Sequence, residues 1–141
     1  MSTATSPHRS SYDDPRELRN LLDKASQLAR VHELRSVVVG LAGFEGDLEF
    51  PEVVDYVESA LRMDDSLFRM TRERAVVLLT DVDRKRALEI MERLLHEFRE
   101  RFPSLTEPTV ALGYYEVAPG DVPAIAKVVL PHIFEGSPQA H

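Results

Sequence analysis

Residues 62–79, which decide the fold, read RMDDSLFRMTRERAVVLL. Ser66–Met70 and Ala75–Leu79 are two short segments rich in the β-branched and large apolar residues that are typical of strands. The second segment is apolar throughout, which predicts a strand buried on both faces. Residues 71–74 separate the segments and predict a hairpin turn, although tight hairpins usually contain Gly or Asn where φ is positive.

Upstream of this hairpin the sequence predicts a helix, a strand and a second helix. Asp14 is the predicted cap of the first helix, and Pro15 suits its first position. Ser36–Leu41 (SVVVGL) is a short β-branched segment without polar alternation, as expected for a strand buried on both faces. After a loop that contains glycine, Pro51 begins the second helix.

Downstream of the hairpin the sequence predicts a third helix, a fourth strand and a closing helix. A third helix is predicted from about Asp83 to Arg101, and a further strand from Thr109 to Tyr115. Asp121 is the predicted cap of a closing helix that ends before Pro131. The resulting order, α-βαββαβ-α, predicts an α/β fold (an α+β sandwich) in which helices flank a mixed central sheet.

The length and composition fit one globular domain between two short tails. The chain has 141 residues, of which 43% are hydrophobic and 29% charged. Residues 1–12 are small and polar without a period, so we expect a flexible tail, and we expect another at residues 135–141. Residues 13–134 form one continuous patterned segment, without an internal linker or repeat.

The charge and the cysteine content exclude several functions. The formal net charge is −7, which argues against general binding to nucleic acid, because that requires a surplus of lysine and arginine. The chain contains no cysteine, so thiolate chemistry and disulfides are absent. No apolar segment approaches the length of a membrane span, and we therefore expect a cytoplasmic protein without a membrane partner.

Five ordered segments of this sequence resemble a GGDEF domain, the domain of diguanylate cyclases. Residues 37–44 (VVVGLAGF) stand where the family has a buried strand ending in D-x-D-x-F-K, with Phe44 at the phenylalanine. Residues 46–50 (GDLEF) correspond to G-D-x-x-L, and residues 62–65 (RMDD) match R-x-x-D. After five further residues the hairpin (TRERA) stands in the place of GGDEF, and Val110–Gly113 resembles the later S-x-G strand.

The same resemblance implies that the catalytic chemistry has been lost. Diguanylate cyclases join two GTP molecules with the help of two divalent ions, which require oxygen ligands such as carboxylates. Gly40 and Ala42 stand at the two strand aspartates, and Glu45 stands at the motif lysine. Only Glu73 remains of the hairpin acids, and it lies between two arginines. We therefore expect no catalytic residue, no bound metal and no cofactor.

The R-x-x-D segment supplies the candidate binding site. In the family this motif marks an inhibitory site for cyclic di-GMP, so the resemblance implies that Arg62 and Asp65, with Arg69 nearby, bind that dinucleotide. A guanidinium can contact phosphate or guanine, and a carboxylate can accept the guanine N–H groups. The alternative is a purely structural role, because arginine and aspartate are common at the exposed end of a helix and in turns.

These observations leave two classes of function. In the first, the domain is a non-catalytic signalling adaptor that binds another signalling protein, and a homodimer is one form of such an interaction. In the second, it is a receptor for cyclic di-GMP. An active diguanylate cyclase is a distant third alternative, because the strand carboxylates that it needs are replaced.

Overall fold

The computed structural model describes residues 13–103 and 110–135 of the chain. The described elements follow one another in the predicted order, α-βαββαβ-α. The helices are α1 (Pro15–Val31), α2 (Phe50–Ser59), α3 (Arg84–Arg101) and α4 (Ala126–Ile133). The strands are β1 (Ser36–Ala42), β2 (Ser66–Thr71), β3 (Arg74–Thr80) and β4 (Ala111–Val117). The predicted tail at residues 1–12, and all of the predicted tail at residues 135–141 except Glu135, lie outside the described residues. No described helix is long and apolar enough to cross a membrane.

The four strands form one sheet in the order β2-β3-β1-β4, and every neighbouring pair is antiparallel. The α+β architecture is therefore as predicted, but the expectation of a mixed sheet is wrong. Helix α2 connects β1 to β2 so that these two strands run in the same direction, as a helical crossover does. Strand β3 lies between β1 and β2 and is antiparallel to both, so the two parallel strands do not pair with each other.

The sheet separates two apolar layers, each covered by a pair of helices. Val37 and Val39 of β1 face the layer formed with α2 and α3, and they are completely buried. Val76 and Leu78 of β3 are also completely buried, but they face the layer formed with α1 and α4. The predicted burial of these four residues in adjacent central strands is confirmed. The lack of polar alternation along β1 is thus explained by helices on both faces.

The first and third helices begin as predicted, and the fourth does not. The Asp14 carboxylate accepts a hydrogen bond from the amide of Arg16 at 2.9 Å, in the manner of an N-cap. Helix α4 begins at Ala126 rather than at Asp121 and contains Pro131 within its length. The segment before α4 is instead held against α1, because the amide of Ala124 donates to Ser26 Oγ at 2.8 Å.

The hairpin between β2 and β3 is present at the predicted position and needs no glycine. Its two loop residues, Arg72 and Glu73, are not among the residues with positive φ. Strand β2 carries an irregularity between Arg69 and Thr71, where the pairing register shifts. Such a bulge changes the local twist, which allows a two-residue loop without the positive φ values of the common hairpin turns.

Candidate functional site

Arg62 and Asp65 lie in the connection between α2 and β2, and their side chains contact each other. Asp65 Oδ2 accepts hydrogen bonds from Arg62 Nε at 3.1 Å and from the Arg62 amide at 3.0 Å. Asp65 Oδ1 accepts another from Arg62 Nη2 at 3.1 Å. The Asp65 side chain is only 3% exposed, whereas that of Arg62 is 54% exposed. The structure therefore brings these two predicted residues together as an internal ion pair.

Thr80, the last residue of β3, anchors this ion pair to the sheet. Its amide and its hydroxyl both donate to Asp65 Oδ1, at 3.0 and 3.2 Å. Its carbonyl oxygen accepts a hydrogen bond from Arg62 Nη2. The R-x-x-D pair thus fastens the connection between α2 and β2 to the end of β3. The sequence does not indicate this partner, because Thr80 lies in another element and belongs to no motif.

The charges around Arg62 are mostly negative. Burial opposes ionisation of Asp65, but the hydrogen bonds from Arg62 and Thr80 outweigh it, so the pKa of Asp65 lies below its ordinary value. The hydrogen bond to Asp65 raises the pKa of Arg62 against its desolvation, and the charges of Asp81 and Asp64 add to this increase. The guanidinium is thus hydrogen bonded to one carboxylate and lies in the field of two more, which lowers its attraction for an additional anion.

Arg69 is held by a different set of acids and does not join the Arg62 pair. Its Nη2 donates to Glu58 Oε1 at 2.7 Å and to Asp55 Oδ1 at 2.8 Å, both on α2. These contacts raise the pKa of the Arg69 guanidinium, chiefly through the hydrogen bond to Glu58. Arg69 also follows Asp65 by four residues along an extended segment, about 13 Å between their Cα atoms. The three predicted site residues therefore form two separate ion-pair clusters.

The end of β1 and the hairpin, where the family has its motif acids, also lie side by side. The amide of Gly43 donates to the Glu73 carbonyl oxygen at 2.8 Å, so the loop after β1 is bound to the hairpin. Asp47 is buried, and its Oδ1 accepts from the amides of Glu49 and Phe50 at the start of α2. Within residues 13–103 and 110–135, no group of three histidine, cysteine or acidic side chains is arranged to hold a metal ion.

Gly40, the residue that the resemblance aligns with the first strand aspartate of the family, lies directly beneath the end of α4. A Cβ atom at this position would lie 2.8 Å from the Ile133 carbonyl oxygen and 2.9 Å from Ile133 Cβ. Gly113 pairs with Gly40 across the sheet, and a Cβ atom there would lie only 2.0 Å from the same oxygen. The absence of a side chain at both glycines therefore allows the backbone of α4 to pack against the sheet, and position 40 has no space for a carboxylate.

The loop after β1 presents apolar side chains to solvent. Phe44 is 48% exposed and Leu48 is 79% exposed. The loop itself is well fixed, because the amide of Asp47 donates to the Phe44 carbonyl oxygen at 3.0 Å and Gly46 supplies a positive φ of 80°. Sequence reasoning missed this surface; the signal was the alternation of apolar and acidic residues in 44–52 (FEGDLEFPE).

The fold is similar to that of several solved bacterial domains. No protein-family model matches the sequence, and no curated protein sequence matches it. The GGDEF domain of FimX from Pseudomonas aeruginosa is 16% identical with a TM-score of 0.66, over 89% of this chain and 90% of that one. The GGDEF domain of DgcB from Caulobacter crescentus, solved in complex with c-di-GMP, is 15% identical with a TM-score of 0.62, over 85% and 82% of the two chains.

A third similar structure is the diguanylate cyclase SiaD from Pseudomonas aeruginosa, solved in complex with its activator SiaC. It is 22% identical with a TM-score of 0.62, over 79% of this chain and 49% of that one. At these identities the comparisons establish the fold, and activity has to be argued from the residues of this chain. The predicted resemblance is confirmed at that level: the chain has the fold of a GGDEF domain.

Proposed function

We propose that this domain is a non-catalytic signalling adaptor that acts by binding another protein. The observation that carries the proposal is the packing of Ile133 onto Gly40. The resembled family places an aspartate there, and in this chain the end of α4 occupies the space that its side chain would need. A domain that keeps a GGDEF fold without this carboxylate retains its surfaces as its means of action.

The charges at the same end of the sheet support this proposal. Glu45 stands at the motif lysine and is exposed, which puts a negative charge where the family would hold triphosphate. Asp47 Oδ1 accepts hydrogen bonds from two amides at the start of α2, and the remaining acid, Glu73, lies between Arg72 and Arg74. SiaD, a domain of similar fold solved with a protein activator, gives a precedent for a protein partner.

Affinity capture with the purified chain tests the adaptor proposal. The immobilised chain should retain one protein from a lysate of the encoding organism in a near-stoichiometric amount, and the reconstituted pair should elute as one complex from a sizing column. A homodimer measured by light scattering would be the self-associating form of the same function. A chain that retains no protein and remains monomeric at high micromolar concentration would contradict the proposal.

A receptor for cyclic di-GMP is the second candidate, with Arg62, Asp65 and Arg69 as its proposed ligands. Arg62 is half-exposed, and the similar domain of DgcB was solved with this dinucleotide. The ion pair with Asp65 argues against this candidate, because a bound phosphate would have to replace it, and the negative charges of Asp64 and Asp81 would oppose a second anion near Arg62.

Isothermal titration with cyclic di-GMP tests the receptor candidate, which is compatible with an adaptor function. If the receptor proposal is wrong, the wild type gives no binding heat, and the adaptor function stands alone. If the receptor proposal is right, the wild type binds and Arg62→Ala weakens the affinity at least tenfold, because a charge-assisted contact contributes about 1.5 to 3 kcal/mol. Arg93→Ala is the matched control, since Arg93 is similarly exposed, at 55%, and lies on α3 away from the motif.

A further inference from the structure

The loop after β1 exposes apolar side chains on a backbone that is fixed by hydrogen bonds. Phe44 and Leu48 project from it, and the exposed Pro51 follows in the first turn of α2. The loop is fixed to the hairpin by the hydrogen bond from Gly43 to Glu73, and to α2 by the Asp47 carboxylate. Side chains on such a fixed segment lose little conformational freedom when they are buried against a partner, which favours binding.

Acidic residues surround these apolar side chains. Glu45 and Glu52 are exposed and Glu49 is half-exposed, all within the same nine residues. The basic residues nearest in the hairpin are Arg72, which is exposed, and Arg74, whose guanidinium lies 4.8 Å from the centre of the Phe134 ring. We call Phe44, Leu48 and Pro51, together with Glu45, Glu49 and Glu52, the loop surface.

The other exposed apolar residues lack this combination. Met63 is 96% exposed, but it stands alone between charged residues of the R-x-x-D segment. Val122, Ile125 and Val128 are exposed at three-residue intervals before and in the first turn of α4, but the charged residues among them, Asp121 and Lys127, have opposite charges. Isolated exposed apolar residues are common on soluble proteins, whereas a fixed group with charge of one sign indicates a specific partner.

We propose that the loop surface is the docking site for the adaptor's partner, and that the partner presents an apolar pocket bordered by lysine and arginine side chains. This inference rests on the proposed adaptor function and adds the location of the site and the chemistry of the partner. Phe44 and Leu48 fill the pocket, as central apolar residues do in protein interfaces. The three glutamates pair with the basic border and steer the encounter, and binding therefore weakens as salt increases.

A pair of model peptides tests the chemistry directly. One is an amphipathic helical peptide of leucine and lysine, and the other carries glutamate in place of lysine. In a titration followed by amide NMR spectra, the lysine peptide should shift the signals of residues 44–52, and the glutamate peptide should not. The double variant F44S/L48S should lose these shifts. Equal shifts with both peptides, shifts centred elsewhere, or none would overturn the proposed surface.

Partner capture with matched variants tests the location. F44S/L48S should reduce the affinity for the captured partner at least tenfold, and E49K/E52K should reduce it more strongly at low salt than at high salt. M63S is the control, because it removes a highly exposed apolar side chain outside the loop surface. Full binding by F44S/L48S would overturn this inference and leave the adaptor function standing. A wild type that captures nothing and remains monomeric would overturn the adaptor function itself.

Discussion

Gly40 and Gly113 have no side-chain carbon, and α4 can therefore pack directly on the sheet at these two positions. We expect Gly113→Ala to destabilise the domain by about 3 kcal/mol or more, because a methyl group there overlaps the backbone of Ile133 rather than a flexible side chain. Urea denaturation of the purified variants measures this change. Gly46→Ala is the control, since its Cβ meets open space and its cost is only the strain of a positive φ, about 1 kcal/mol. An equal or smaller loss for Gly113→Ala would contradict this packing.

Asp65 makes the stability of the domain depend on pH in one direction. Its pKa is lower in the folded chain than in the unfolded chain, so its contribution is complete above the unfolded value, near pH 4, and is lost as pH falls through the folded value. Asp65→Asn should therefore be clearly less stable than the wild type at neutral pH, and the difference should shrink in acid.

Urea midpoints measured from neutral pH down to about pH 3 test this dependence on Asp65. Asp23→Asn, a change of an exposed aspartate on α1, serves as the control and should follow the wild-type curve. A difference between Asp65→Asn and the wild type that stays constant across this range would show that the carboxylate has no ionic role in the fold.

At the level of elements, the two central strands should carry much of the stability. Val76 lies in β3 opposite Gly40 and is completely buried among residues of α1 and α4. Val76→Ala removes two buried methyl groups, and we expect a loss of roughly 2 kcal/mol in the free energy of unfolding. Val122→Ala is the matched control, because Val122 is 77% exposed and should lose almost nothing. Similar midpoints for the two variants would place Val76 outside the core.

The sequence predicts elements whose signal is local and misses features that depend on distant contacts. The order of elements, the burial of β1 and the Asp14 cap follow from periodicity and from neighbouring residues. The start of α4 does not, because the amide of Ala124 is taken by Ser26 of α1. The same limit applies to the candidate site: the R-x-x-D spacing identifies Arg62 and Asp65, whereas their anchor, Thr80, comes from another strand.

At the scale of the whole molecule, the similarity to solved domains is established for the fold and not for the chemistry. The chain shares the fold of the FimX GGDEF domain at 16% identity, and its own sheet lies between two buried apolar layers. Residues of two motif segments have structural contacts in this chain. Gly40 is part of the packing between the sheet and α4, and Arg62 and Asp65 form an ion pair that Thr80 anchors to β3.

We therefore expect no synthesis of cyclic di-GMP when the purified chain is incubated with GTP and Mg²⁺ or Mn²⁺. Restoring the strand acids in the variant G40D/A42D should not create activity either. The carboxylate introduced at position 40 would collide with Ile133 and lower the stability, and Glu45 would still repel triphosphate. Chromatographic detection of the product, with an active diguanylate cyclase assayed in parallel, makes this measurement. Product above the level without enzyme, and abolished by Glu73→Ala, would show instead that this hairpin retains catalysis despite the closed position at Gly40.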